Sequence, residues 1–125
     1  MVLKESRQIE SLTIWESSVE HYAWNWLLVE AEAACVRQNA SPDVWRDLRH
    51  FTSYFGFTEL DTGDLQQLLT FNRVIGLRSA DAAHLYCFER ISQTVDEIHL
   101  ATFDQEMLAA ARKLALPIHP LCLEL

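Results

Sequence analysis

The first part of the chain reads as helix, short extended segment and helix. Over residues 6–19 the apolar positions recur at three- and four-residue steps between Arg, Gln and Glu, which predicts an amphipathic helix. Its apolar positions are Ile9, Leu12, Trp15 and Val19. The next three residues, His21-Tyr22-Ala23, predict a short extended piece, and a second helix follows over residues 25–38. That helix is apolar nearly all round, so we expect it to be buried on most sides although it carries Glu30 and Glu32.

The middle of the chain carries a helix start signal, since Ser41-Pro42-Asp43 combines an N-cap residue with a proline at the first helical position. Apolar side chains then recur about one turn apart, and Gly56 is expected to end the helix. They are Val44, Leu48, Phe51 and Phe55. Residues 57–60 predict a short strand.

The last half alternates helices with short apolar segments. Asp61 or Thr62 is expected to cap a helix that ends at Gly76, and Ser79 to cap another that runs to Arg90. Residues 98–103 give the best strand pattern, Asp104 starts a helix that runs to about Leu114, and Pro117-Ile118 begins a last extended segment. Helices that alternate with short apolar strands indicate an α/β sandwich with a mostly parallel sheet.

The length and the charge of the chain limit which classes of function it is compatible with. The 125 residues are enough for one domain, and they carry 10 basic against 18 acidic residues, a formal net charge of −8. An acidic protein is a poor general binder of nucleic acid, but a nuclease whose metal ion meets the phosphate is not excluded. Without a signal sequence or an apolar run of about 20 residues, we expect a cytoplasmic protein with no membrane partner.

The cysteines exclude two further classes. Cys35, Cys87 and Cys122 are widely spaced, odd in number and contain no Cys-x-x-Cys pair, so they predict neither a disulfide framework nor a zinc site. We expect three buried thiols in a reducing cytoplasm.

Three carboxylates lie at positions where an acidic side chain suggests a specific role. Glu30 has apolar neighbours one helical turn away, Asp81 lies in the first turn of a helix, and Asp104 follows the predicted strand 98–103. Each has a local alternative: a rim position or an Arg pair for Glu30, and helix capping for the two aspartates. If all three converge at the carboxyl ends of the strands, they predict a Mg²⁺ or Mn²⁺ site suited to hydrolysis of a phosphodiester by water.

Three segments resemble the motifs of PIN-domain proteins, most nearly the VapC-type toxins of bacterial toxin–antitoxin pairs. Residues 77–85 (LRSADAAHL) resemble the central motif, and residues 101–118 resemble the C-terminal strand–Asp–helix–strand motif. Leu28-Val29-Glu30, with Ala34 and Arg37, resembles the acidic second motif, for which Glu32 is the rival position.

The resemblance implies one PIN-like domain over residues 1–125, with a three-layer α/β/α fold and a Mg²⁺- or Mn²⁺-dependent endoribonuclease activity. Its acidic site maps onto Glu30, Asp81 and Asp104, and Thr102 is expected to orient a ligand or water. For His84, a packed core histidine and a proton shuttle are both considered. Arg78 is expected either to meet an RNA phosphate or to pair with Asp81 or Asp104.

One family feature is missing, because PIN domains open with an apolar strand that ends in a metal-binding Asp. Here the first Asp is Asp43. Either the chain starts downstream of the family's start, or it is a degenerate, non-catalytic member. Glu5 is a further candidate, as a substitute for the missing ligand. Exposed sheet edges then favour strand exchange or a homodimer. The apolar residues 121–125 are expected to fill part of the gap left by the missing strand. A degenerate member would act as a homodimer or as an antitoxin-binding module. A third alternative is a generic α/β ligand-binding domain in which the acids are only caps.

Overall fold

The computed structural model describes residues 20–123, so the predicted helix over 6–19, Glu5 and the last two residues lie outside the described part of the chain. The chain divides after Thr58 into two compact units. Each unit is built from its own helices.

The first unit is a parallel strand pair with two helices between its strands. Its elements are β1 His21–Trp24, α1 Trp26–Arg37, α2 Pro42–Thr52 and β2 Phe55–Thr58. In the parallel pair, His21 lies opposite Phe55 and Trp24 opposite Thr58. The backbone N–H of Asn25 donates to the Thr58 carbonyl at 2.9 Å and extends the pairing by one residue. The predicted extended segment at 21–23 and the helix over 25–38 are thereby confirmed.

Helix α1 is far less buried than its apolar sequence predicts. Only Ala31 and Cys35 on this helix are buried. Trp26, Val29 and Val36 keep 46%, 50% and 68% of their surface exposed. The prediction of burial on most sides is therefore wrong for the described chain: Ala31 and Cys35, one turn apart, mark one packed face, and the face opposite it remains exposed.

Helix α2 begins as predicted and ends early. The Ser41 hydroxyl accepts the backbone N–H of Val44 at 3.4 Å, and Pro42 holds the first helical position. The helix ends at Thr52 rather than at Gly56, which lies inside β2. A Cβ on Gly56 would come within 3.0 Å of the Tyr22 ring on the neighbouring strand, so this glycine serves the strand pairing and not helix termination. The strand itself starts two residues before the predicted 57–60.

The second unit is helical. Its described residues, 59–123, contain a 3₁₀ turn at Thr62–Asp64 and four helices, namely α3 Leu65–Ile75, α4 Ser79–Ser92, α5 Gln105–Lys113 and α6 Pro120–Leu123. Asp61 caps the 3₁₀ turn by accepting the backbone N–H of Asp64 at 3.1 Å. Gly76 ends α3 with a positive φ of 71°, as its position predicts.

The predicted strand over 98–103 shrinks to a single pairing. Leu100 forms an isolated parallel bridge with Ile118, through bonds of 2.8 Å from Leu100 N–H to the Pro117 carbonyl and from His119 N–H to the Leu100 carbonyl. An apolar segment becomes a strand only where a neighbouring segment provides several backbone hydrogen-bond partners. In the described second unit, the neighbouring segment pairs with this one at a single residue. The described chain is therefore mixed α/β, with many helices and a two-stranded parallel sheet.

The core of the second unit lies along α4 and α5. Its buried side chains on these helices are Ala82, Ala83, Leu85, Tyr86, Cys87, Phe88, Met107, Leu108, Ala110 and Ala111. All three cysteines are buried, as predicted, and none forms a disulfide. Burial raises the pKa of the Cys87 thiol to about 11, which keeps it protonated and unreactive at neutral pH. Among residues 20–123, no helix has the length and apolar character needed to cross a membrane.

Candidate functional site

The N-terminus of α4 carries the first two candidate residues. Arg78 takes the N-cap position with an extended backbone, and its carbonyl accepts the Ala82 N–H at 2.8 Å as the first bond of the helix. Ser79, predicted as the cap, is instead the first helical residue. Asp81 lies in the first turn and is half-buried. The helix dipole favours a negative charge at that position.

The N-terminus of α5 carries the third candidate residue of the site. Asp104 is the N-cap residue, as predicted, and its Oδ1 accepts the backbone N–H of Met107 at 2.9 Å. The backbone N–H of Asp104 donates to the Thr102 hydroxyl at 3.2 Å. Thr102 thus holds the backbone that presents Asp104, which gives a physical basis to its predicted supporting role.

Asp81 and Asp104 line the same cleft. Its volume is about 260 Å³, and its lining residues are Arg78, Asp81, Asp104, Gln105 and Glu106. Two of the three predicted metal ligands and the predicted Arg78 therefore meet at one place, at the N-termini of two helices. Gln105 and Glu106 were not predicted; the only signal for them is that they directly follow the Asp104 cap.

The cleft has an acidic balance. Its lining contains one guanidinium and three carboxylates, which give it a formal charge of −2. Two helix N-termini offset part of this negative charge. Like charges in one cleft repel each other, and a cation bound among them relieves that repulsion.

The donor chemistry of the cleft fits a hard divalent cation. Asp104 uses Oδ1 for the helix cap, which leaves Oδ2 for another ligand. Mg²⁺ commonly takes one or two protein carboxylates together with waters and substrate phosphates, and Asp81 and Asp104 match that number. Within residues 20–123, no three His, Cys, Asp or Glu side chains are grouped so as to hold a metal ion by themselves.

His84 and Thr102 flank cleft residues along the chain. His84 lies one turn after Asp81 on α4 and is half-buried. Neither residue belongs to the described lining of the cleft. Whether His84 is a packed core histidine or a proton shuttle stays a prediction.

Glu30 and Glu32 lie on α1 in the other unit. Glu30 is half-buried and Glu32 is exposed. The choice between Glu30 and Glu32 as a ligand stays a prediction. That Glu30 joins Asp81 and Asp104 around one ion stays a prediction.

A second cleft, of about 450 Å³, lies between α3 and α4. Its wall includes Tyr86, whose hydroxyl donates to Gln67 Oε1 at 2.7 Å and whose ring meets Phe71 edge-on at 5.6 Å. Burial raises the pKa of Tyr86. The phenol is therefore protonated and engaged in packing, and its contacts serve the pairing of the two helices.

Comparison of the chain with models of protein families, with curated proteins and with solved structures found no match.

Proposed function

We propose that this protein is a Mg²⁺- or Mn²⁺-dependent endoribonuclease of the PIN type, similar to the VapC toxins, that acts in the cytoplasm. The observation that carries the proposal is the shared cleft of Asp81 and Asp104, since two motifs far apart in sequence supply carboxylates to one place. Within the proposal, Glu30 completes the acidic set, and the helices and parallel strand pair belong to a three-layer α/β/α fold.

The residues in and next to the cleft have separate roles in such an enzyme. Asp81 and the Oδ2 of Asp104 would hold the cation, and Thr102 fixes the backbone of Asp104 through the 3.2 Å hydrogen bond. A bound Mg²⁺ or Mn²⁺ supplies an activated water and neutralises charge on the phosphodiester. Arg78, exposed at the edge of the cleft, is placed to contact a phosphate of the RNA, because a guanidinium binds phosphate oxygens in pairs.

The test is RNA cleavage by the full chain, with and without Mg²⁺ or Mn²⁺, by the parent and by Asp81→Asn. The variant is expected to lose cleavage and cation binding, while the metal-free protein stays equally stable or becomes more stable because a repulsive charge is removed. Asp96→Asn is the matched control, since Asp96 is an exposed aspartate of the same unit outside the cleft. Cleavage by Asp81→Asn at the parental rate would refute the assignment.

The alternative is a non-catalytic module of the same fold that binds a second copy or an antitoxin-like protein. The exposed apolar residues of α1 favour it, because monomeric proteins rarely leave such a stripe uncovered. An Arg-rich partner peptide would also suit the acidic cleft. Calorimetric titration separates the two functions: Mn²⁺ binding that disappears in Asp104→Ala supports the enzyme, and no binding at millimolar metal supports the module.

A further inference from the structure

His119 connects the start of α6 to the isolated strand bridge of the second unit. Its backbone N–H donates to the Leu100 carbonyl at 2.8 Å, and its carbonyl accepts the Cys122 N–H at 2.8 Å. The side chain adds a cap, because Nδ1 accepts the backbone N–H of Leu121 at 3.2 Å. We call His119 and these three contacts the α6 latch, since one residue holds both the bridge and the helix.

The cap requires a neutral His119. An imidazole nitrogen accepts a hydrogen bond only while it carries no proton, so the ring carries its proton on Nε2. In the imidazolium both ring nitrogens are donors. Protonation of His119 therefore sets the N–H at Nδ1 against the N–H of Leu121 and removes the cap.

The surroundings of His119 disfavour its charged form. The residue is half-buried, and the ring of His99 on the neighbouring segment lies edge-on, with the two ring centroids 6.5 Å apart. Burial and, as the second cause, the charge of His99 lower the pKa of His119. A proton on His119 thus costs both hydration and repulsion between two cations.

The charged groups on the adjoining segments do not offset this cost. On the segment 98–104 the carboxylate of Asp104 caps α5 through its Oδ1. On α5 the guanidinium of Arg112 donates to the Leu123 carbonyl at 3.4 Å, which brings a further cation to the end of α6. Among residues 20–123, no carboxylate forms an ion pair with His119. In that part of the chain, the imidazolium gains no compensating charge.

We propose that His119 makes the α6 latch a pH-sensitive switch: its protonation releases α6 and the bridge between Leu100 and Ile118 while α4 and α5 stay folded. The open latch takes up a proton more readily than the closed one, because the pKa of His119 in the folded chain lies below its ordinary value of about 6.5. The stability that the neutral His119 adds is therefore present above that value and is lost as the pH falls through the folded pKa.

The release is expected to be local. Helix α6 has four residues, too few for a helix to be stable without its cap and its packing. The core along α4 and α5 contains side chains as fully buried as Leu85 and Leu108, so it opens only when the whole unit unfolds. The proposal stands whether or not the cleft of this unit cleaves RNA.

The test is the rate at which dithiodipyridine labels Cys122 in the full chain as a function of pH. Cys122 on α6 and Cys87 on α4 are both buried, so they report on the latch and on the core of the same molecule. Each rate is divided by the rate in denatured chain at the same pH, and mass spectrometry of peptides distinguishes the two thiols. From about pH 7.5 to about pH 5.5, Cys122 labelling is expected to rise severalfold, with a limit of about tenfold for one proton, and Cys87 labelling to stay unchanged.

Two variants assign the effect to one histidine. In His119→Asn the amide oxygen replaces Nδ1 as the acceptor for the Leu121 N–H and does not titrate, so Cys122 labelling is expected to be independent of pH. His50→Asn is the matched control, because His50 is an exposed histidine on α2 of the other unit, and it is expected to keep the parental pH dependence. An NMR titration of the parent adds a measurement that needs no variant: the ring protons of His119 are expected to titrate at lower pH than in the denatured chain.

Four results would overturn the proposal. Cys122 labelling that does not change with pH in the parent excludes a switch. A parallel rise at Cys122 and Cys87 means that acid opens the whole unit and not α6 alone. An acid-dependent rise that persists in His119→Asn, or a His119 ring that titrates in the folded chain as it does in the denatured chain, excludes His119 as the group responsible.

Discussion

Asp104 has two roles in the structure that one pair of substitutions separates. Its Oδ1 caps α5 by accepting the Met107 N–H at 2.9 Å, while the side chain also lines the acidic cleft. Asp104→Ala removes both the cap and the charge. In Asp104→Asn the amide oxygen still caps the helix, because Asn and Asp are equally good N-cap residues. In this variant the helix cap uses the only oxygen of the amide. The NH₂ group takes the place of Oδ2, and its partial positive charge repels a cation.

The magnitudes follow from these contacts. Loss of an N-cap of ordinary geometry lowers the free energy of unfolding by about 1 kcal/mol, which for a chain of this size lowers the melting temperature by about 3–5 °C. Asp104→Asn is expected to stay within about 0.5 kcal/mol of the parent, since it loses the interaction of the charge with the helix dipole but also removes repulsion from the other carboxylates of the cleft. Both variants are expected to weaken Mn²⁺ binding by about tenfold or more, because each removes a charged ligand.

Two measurements on the same three proteins check this. Thermal unfolding in the presence of a chelator reports the cap, and calorimetric titration with Mn²⁺ reports the ligand. Asp104→Asn should be close to the parent in stability and more stable than Asp104→Ala, whereas Mn²⁺ binding should be weakened in both variants. If Asp104→Asn binds Mn²⁺ as the parent does, Asp104 is not a ligand. If Asp104→Ala is as stable as Asp104→Asn, the cap contributes nothing.

Three more predictions concern the second unit. Leu108→Ala, at a fully buried position, is expected to lower the free energy of unfolding by about 2–5 kcal/mol in denaturant titrations, while Leu69→Ala, at a residue 43% exposed, changes it little. The Asp61 N–H and the Arg90 guanidinium lower the pKa of Asp64, so the folded chain binds that proton less tightly than the unfolded chain. The stability that Asp64 adds is therefore present above the carboxyl's ordinary pKa and is lost as pH falls through its folded pKa; the stability difference between the parent and Asp64→Asn should vanish in acid. Gly76→Ala is expected to destabilise by about 1 kcal/mol through its positive φ alone, because no atom lies within 4 Å of the added Cβ, and Gly76→Asn by less.

The local signals of the chain predicted its helices well. Ser41 with Pro42, Asp61 and Asp104 each begin an element where the sequence places it, and Gly76 ends one. Capping involves one side chain and backbone groups within about three residues, so it can be predicted from the sequence. The same logic placed Asp81 and Asp104 at helix N-termini.

Strands and burial were predicted less well. The apolar run at 98–103 has the pattern of a strand but only Leu100 pairs, and Gly56 belongs to a strand rather than to the end of a helix. Pairing depends on which distant segment lies alongside, and that is absent from any local pattern. The burial of α1 was overestimated for the same reason, because an apolar side chain is covered only if a neighbour is present to cover it.

By itself, the sequence determined where most of the helices begin, that the cysteines are buried thiols, and which acids merit attention, because each of these depends on neighbours along the chain. Only the tertiary structure decided that Asp81 and Asp104 share a cleft with Arg78 and Glu106, and that Trp26, Val29 and Val36 of α1 are exposed. Both facts depend on how helices pack across long stretches of sequence, where the side chains that meet are chosen by the fold and not by their spacing.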